Sequence, residues 1–598
     1  MWEPEARTVK PVWLRVVGLA TLSVLLSSFA WWPMLAGYPK TQGWEGPFMQ
    51  EMLEAARVSM VRYHELPLWN PYQCGGVALW DNPQGMGAAP LFWPLVALSD
   101  TTRAMELWYM LHAAVGFASM WLFSRHELGL SRGATLVASG TWAFCGAHNQ
   151  HLTGAGFQWA AIFFLPLAVL FWRRAERDPR MAVGVGILGA MGLWGGALYP
   201  LMVTGLVLAG ETMTRAWQPS RLKGIAVGAL IAGLVTFGLS AGRFIPVVYQ
   251  AMAHKRDLGI ETDALQWSTL VDMFVARSHS RGVAGQQYVW PEYGDYIGPF
   301  LISLSLIGIV IGGARNVWVG VVLAWAFLLM LGHAWSWAPW HLLKGHVYPF
   351  KDMRVPSRFN VPVTMFLGAF AGIAIDRTSG VVLRLVGSRS TANAARTIAL
   401  AIGLIGMGDM ISLGLPWVAE SYQGTPLVKN VPVSPRLFLE GPGLADFVDQ
   451  PQQNRGRFQC WEEWAFGDGA AVWTGDVPQA RAASPTAKVG IAVTRTQNSF
   501  VADVDAKEPV RILFNTAYDR GWRATTGNVV NQSKLLAVDV PAGQYHLVVK
   551  YWPLGLTVGL VITVLSIAGT IAFFWVDASR RRRAGGRPPL AKKDTTTA

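Results

Sequence analysis

Acids and cations beside aromatic and proline residues are the parts of this 598-residue chain that could do chemistry. In "FKDMRVPSRF", Lys351, Arg354 and Arg358 cluster around Pro356. Arginine grips a phosphate as a planar fork and lysine meets it as a point charge, so the cluster invites an anionic ligand. A substrate phosphate, a lipid headgroup and the neighbouring Asp352 all satisfy that chemistry. "HKRD" supplies a second pair, Lys255 and Arg256. A reaction beside these cations needs a base. Glu45 follows the first apolar stretch, at a boundary where partial burial raises a carboxyl into a useful range. The same residue could instead satisfy free amides at a helix start. Asp81, Glu292 and Asp295 are further acids, Asp295 in "WPEYGDYIGP" being equally suited to cap the helix that follows. His148 and His151 in "GAHNQHL" lack an evident third ligand, so they are expected to be polar groups at a cavity, with no metal.

These groups must be positioned by a bilayer-embedded scaffold. The chain is 52% hydrophobic, 15% charged and carries 29 tryptophans, against about a quarter charged residues in soluble domains. Stretches of roughly 20 apolar residues, enough to span a bilayer, begin near residues 12, 103, 131, 157, 181, 199, 224, 296, 316, 359, 397 and 553. About 12 transmembrane helices are expected. The net charge of +13 is distributed at alternate span ends, among them Arg173, Arg174, Arg215, Arg221 and Arg580 to Arg583. Such a pattern marks cytoplasmic loops rather than a nucleic-acid surface. Both termini are then cytoplasmic, and the first apolar segment is a retained span rather than a signal peptide. Cys74, Cys145 and Cys460 have no metal-like spacing. Cys74 and Cys460 could pair across the outer face, though free thiols are the preferred expectation.

Under this topology the membrane domain covers 1–416, with outer loops at 35–100, 243–295 and 333–358. Segments such as "VRILFNTAYDRGWRATTGN" and "YHLVVKYW" alternate polar and apolar residues between turn signals, which predicts an extracytoplasmic β-rich domain over 417–552. A last span over 553–576 and a basic tail over 577–598 complete the chain. In the first loop, "MQEMLEAARVSMVRYHE" has an apolar stripe at helical spacing, Phe48, Met52, Ala55, Ser59 and Tyr63. It predicts an amphipathic helix resting on the membrane or on the protein body. The next stretch, "HELPLWNPYQCGGVALWDNPQ", is broken repeatedly by Pro and Gly. It predicts a folded loop lying against another surface.

In order along the chain, "ELPLWNPYQCGG" with "DNPQ", "HNQHLTGAGFQW", "WPEYGDYIGP", "MRVPSRF" and "YDRGWRA…VPAGQYHLVVKYWP" resemble the YfhO-like family of bacterial membrane proteins. The resemblance runs from about residue 30 to 575. It implies an all-α polytopic membrane protein with a GT-C-like glycosyltransferase fold and a small β-rich domain before the last helix. It further implies location in the bacterial cytoplasmic membrane and transfer of sugar from a polyprenyl-phosphate donor to an envelope glycan, lipid or protein. The catalytic carboxylate of that superfamily lies in the first outer loop, commonly as Asp in a "W-D" pair; here Glu45 follows Trp44. The implied roles are Glu45 as base and Arg354, Arg358 and Lys351 as phosphate clamp, with Lys255 and Arg256 as further donor contacts. Trp69, Asn70, Trp80, Asn82 and Gln84 would form a sugar-facing wall, joined by His148, His151 and Glu292. A phosphate leaving group needs no acid, unlike the alkoxide that makes glycosidases use two carboxylates. No cofactor is required. A transporter or flippase of lipid-linked sugars, using Asp409, and an inactive glycan-binding protein are the competing expectations.

Overall fold

The computed structural model describes residues 12–37, 46–153, 156–254, 261–278, 283–348, 350–423, 433–434, 436–440, 450–457 and 472–583. Glu45, Lys255, Arg256 and Cys460 lie outside the described residues. Helices begin at or close to each position where the sequence predicts a span, but they differ in length. Seven of the described helical stretches are long and apolar enough to cross a membrane, and Pro179–Trp194 and Ala314–Met330 are shorter apolar ones. Other expected spans are broken. Arg132–Phe144 gives way at Cys145 to the short helix Gly146–Thr153, and the run from Phe157 starts as a 3-10 helix before Leu165–Ala175.

The bundle is built around Asn360–Val386, whose first sixteen residues are all buried by Gly298–Ile311, Arg132–Phe144 and Arg389–Ser421. One end of the bundle gathers the basic clusters. There Arg173 and Arg215 pair with Glu211, Arg215 also with Glu176, and Arg174 with Glu127. The arginines of these clusters are thus tied to acids rather than left to repel one another.

The opposite end carries a sandwich of two antiparallel four-stranded sheets. In spatial order, Asn528–Gln532, Leu535–Val540, Val510–Ala517 and Ala480–Ala482 form one sheet; Val489–Arg495, Ser499–Ala506, Gly543–Tyr551 and Trp522–Ala524 form the other. Phe500 of one sheet meets Phe514 of the other at 5.0 Å between ring centroids. Alternation along Ser499–Ala506, with Phe500, Ala502, Val504 and Ala506 buried, is the strand period that the sequence displays.

The loop after the first span is the seat of this sandwich. Trp69 packs on Tyr551 at 4.6 Å and Trp522 at 5.2 Å, and its ring N–H donates to Thr516. Its backbone N–H donates to the Asn498 side chain, and Ala517 N–H donates to Gly75 C=O. Helix Gly46–Arg62 lies beneath, buried on its polar faces as well: Glu51 and Glu54 are 1% and 0% exposed. It rests on the protein body, not on the membrane surface. Cys74 is disulfide-bonded, correcting the expectation of a free thiol there. The turn that holds it is laid against strand Arg455–Arg457, with Gly75 N–H donating to Arg457 C=O.

Candidate functional site

The predicted sugar wall is mostly structural. Trp69, Asn70, Trp80 and Asn82 are between 0% and 3% exposed, so none offers a ring face or an amide to a ligand. Asn70 donates to Glu51 at 3.1 Å and accepts from Tyr72 N–H, and Trp80 donates to Gly242 C=O. These groups are spent inside the protein: Trp69 on the sandwich, Asn70 on helix Gly46–Arg62 and Trp80 on Pro219–Ala253. Gln84 alone stays half-buried, beside Gly196. A Cβ at Gly196 would lie 2.7 Å from Gln84 C=O, and its φ of +69° is left-handed, so glycine permits the approach of these two segments. Three residues later comes Tyr199, the first aromatic of the site described next.

Arg358 is at the centre of that site, on the 3-10 turn Pro356–Phe359 that opens Asn360–Val386. Its Nε and Nη2 donate to Glu292 Oε2 and Oε1 at 2.7 and 2.6 Å, the bidentate fork expected of a strong arginine pair. Glu292 is held by the turn Trp290–Tyr293, and its backbone C=O accepts from Ser357. The guanidinium lies 4.8 Å from the Tyr199 ring centroid and 5.2 Å from that of Trp159, both within cation–π range. His151 stacks on Trp159 at 4.3 Å with planes 8° apart. Burial, then the Arg358 charge, push the His151 imidazole down to about 3, which keeps it neutral. His148 does not share this site. It is 1% exposed and stacked on Phe163, with the Trp142 ring edge-on to it.

Arg354 and Lys351 sit beside this core. Arg354 N–H donates to the Tyr199 hydroxyl at 3.1 Å, which fixes the backbone next to the aromatic pair. The Arg354 side chain is half-buried and has no hydrogen-bond or ion-pair partner among the described residues, whereas Arg358 is occupied by Glu292. Lys351 is exposed. The supply of uncompensated positive charge is therefore at Arg354 and Lys351. Behind the loop, Lys344 donates to Met353 C=O and pairs with Glu261 at 3.1 Å, and Trp340 also donates to Glu261. Val355 is held at φ +62°, a costly conformation for a β-branched residue that the surrounding packing imposes.

Asp295 does not cap the helix it precedes. Its carboxylate accepts from Ala147 N–H at the start of Gly146–Thr153 and from Thr364, stitching the His-bearing helix to the central one. Asp409 is bonded by Tyr296 and paired with Arg277. No group of three His, Cys, Asp or Glu among the described residues is arranged to hold a metal ion.

Trp159, Tyr199, Glu261 and Lys344 are the site residues that sequence reasoning passed over. The first two are the aromatic residues of "GAGFQW" and "GALYP", which carry no charge to attract notice.

No family model and no curated protein matches the chain. Solved structures similar to it include ArnT from Cupriavidus metallidurans bound to undecaprenyl phosphate, at 13% identity and TM-score 0.44, covering 75% of this chain and 86% of that one. Another is the arabinofuranosyltransferase AftD from Mycobacteria, at 16% identity and TM-score 0.41, where 69% of this chain is covered. The chain spans 27% of the length of that arabinofuranosyltransferase.

Proposed function

We propose that this protein is a membrane glycosyltransferase that moves a sugar from a polyprenyl-phosphate donor to an envelope acceptor on the extracytoplasmic face. The observation that carries the reading is the unpaired, half-buried Arg354 beside the aromatic-boxed Arg358–Glu292 pair. A donor phosphate is met by Arg354 with Lys351 in support, while the half-buried Tyr199 and His151 rings, the latter backed by Trp159, offer planes to a sugar. Glu45, one residue before helix Gly46–Arg62, takes the proton from the acceptor hydroxyl. The hydroxyl oxygen attacks the anomeric carbon, the bond to the phosphate oxygen breaks, and the lipid phosphate leaves as an anion stabilised by arginine. Attack opposite the leaving group inverts the configuration. In this role Arg358 presents Glu292 and orients it toward sugar hydroxyls rather than acting as a free clamp.

Asp409 gives the transporter reading no support, because its charge is already balanced by Arg277. The deciding experiment follows radiolabelled sugar from polyprenyl-phosphate donors into envelope acceptors, comparing membranes that carry the wild type with membranes that carry Glu45→Gln. Label that moves only with the wild type is the expected result. Equal transfer by the variant removes Glu45 as base, and donor that binds without transfer to any acceptor defeats the enzyme reading.

A further inference from the structure

A polar cavity opens at the seam between the first loop, the sandwich and two helix ends, sharing no lining residue with the Arg358 site. Its volume is about 370 Å³, near the lower end of the roughly 300–1,000 Å³ common for small-molecule sites. Asp81 comes from the first loop, Gln250 and His254 from the end of Pro219–Ala253, and Asp519 from the turn before Trp522–Ala524. Tyr249, Arg520 and Lys534 also line it and are exposed, forming its rim.

The floor is a constructed polar surface. Asp81 is 3% exposed and accepts from the Tyr551 hydroxyl at 3.2 Å, while Asp519 accepts from Gly521 N–H at 2.7 Å. Gln250 is 6% exposed, yet its side-chain amide has no hydrogen-bond partner among the described residues. Its amide faces the cavity and is available to whatever occupies it. Burial, then the neighbouring Asp519 charge, push Asp81 up to about 8, and burial raises Asp519 as well. Near neutrality Asp81 thus keeps a proton and can donate as well as accept.

The lining selects among ligand classes. No lysine or arginine stands on the floor to meet a phosphate. Arg520 and Lys534 at the rim oppose an ammonium ion, and their exposure to solvent weakens their pull on an anion deeper in the cavity. What suits an amide, a donor-and-acceptor carboxyl and a tyrosine ring together is a neutral molecule dense in hydroxyls. We propose that this seam binds a neutral carbohydrate of one or two rings, at a site separate from Arg358 and independent of the transfer reaction assigned there.

The test uses the full chain in lipid nanodiscs and saturation-transfer NMR with methyl glycosides of glucose, galactose and mannose and with maltose. At least one should receive saturation from the wild type, with affinity lowered about tenfold by Gln250→Leu through loss of the amide contacts. Tyr249→Ala, on the exposed rim, serves as the second variant if Gln250→Leu fails to fold, and should weaken the same sugar. The part of the signal that the seam variants remove should persist in Glu292→Gln. The proposal is overturned if no sugar receives saturation, if both seam variants bind as wild type does, if Glu292→Gln rather than the seam variants abolishes the signal, or if only inorganic phosphate or choline competes.

Discussion

Arg354→Ala offers a cleaner test of anion binding than any change at Arg358. Its guanidinium is half-buried and has no partner among the described residues, so truncation leaves no carboxylate stranded. Its backbone N–H, which holds the loop to Tyr199, survives the substitution. Thermal stability should therefore stay near that of the wild type. The lost contact with a phosphate is a charge-assisted hydrogen bond, which contributes about 1.5–3 kcal/mol. At about 1.4 kcal/mol per factor of ten, polyprenyl phosphate should bind roughly 10- to 150-fold more weakly. Arg354→Lys should recover part of that loss, because a point charge replaces the fork. Affinity is read by titrating polyprenyl phosphate into the purified protein in nanodiscs, at low and high salt. Wild-type affinity in Arg354→Ala, together with an unchanged melting temperature, would refute the assignment of this arginine to the donor phosphate.

Glu292→Gln breaks a bidentate pair whose side chains are 15% and 22% exposed; partial solvent screening places the cost at about 1–3 kcal/mol, measurable as a lowered midpoint of thermal unfolding. The same variant frees Arg358 and should tighten binding of inorganic phosphate, while an unchanged midpoint would show that the pair contributes nothing to stability. Trp69→Ala removes the ring wedged between Tyr551 and Trp522 and should cost about 3–5 kcal/mol, seen as faster proteolysis between the sandwich and the membrane bundle. Burial raises Glu51 from the ordinary carboxyl value of 4.5 to about 8, so the folded state keeps a proton that the unfolded state loses across that range. Stability should accordingly fall as pH rises from 4.5 to 8, and Glu51→Gln should flatten that slope; an identical slope in the variant would assign it to other groups.

Local physics made much of the scaffold legible. Apolar runs of spanning length, arginines at alternate ends and strand-period alternation before the last helix are properties of short segments. They placed helices and strands close to where they occur. The cluster "MRVPSRF" was legible for the same reason, since two arginines around a proline announce themselves in one line of sequence. Glu292 and His151 stood out as polar residues in otherwise apolar surroundings, and the fold brings both to Arg358.

Pairing across distance was not legible. Arg354 and Arg358 look alike in the chain, yet one is neutralised by Glu292 and the other is not, a distinction set by where the turn Trp290–Tyr293 packs. Trp69 and Trp80 have the composition of a sugar platform and became the seat of a sandwich more than 400 residues away, as the Trp69–Asn498 and Asp81–Tyr551 bonds show through separations of 429 and 470 residues. Nothing local distinguishes a tryptophan that meets a ligand from one that meets a sheet. The sequence by itself determined which segments are helical, which are strands and which residue types are present to bind an anion. Only the tertiary structure decided which charges are already spent on one another and which aromatic faces remain open, because both depend on neighbours that chain proximity does not specify.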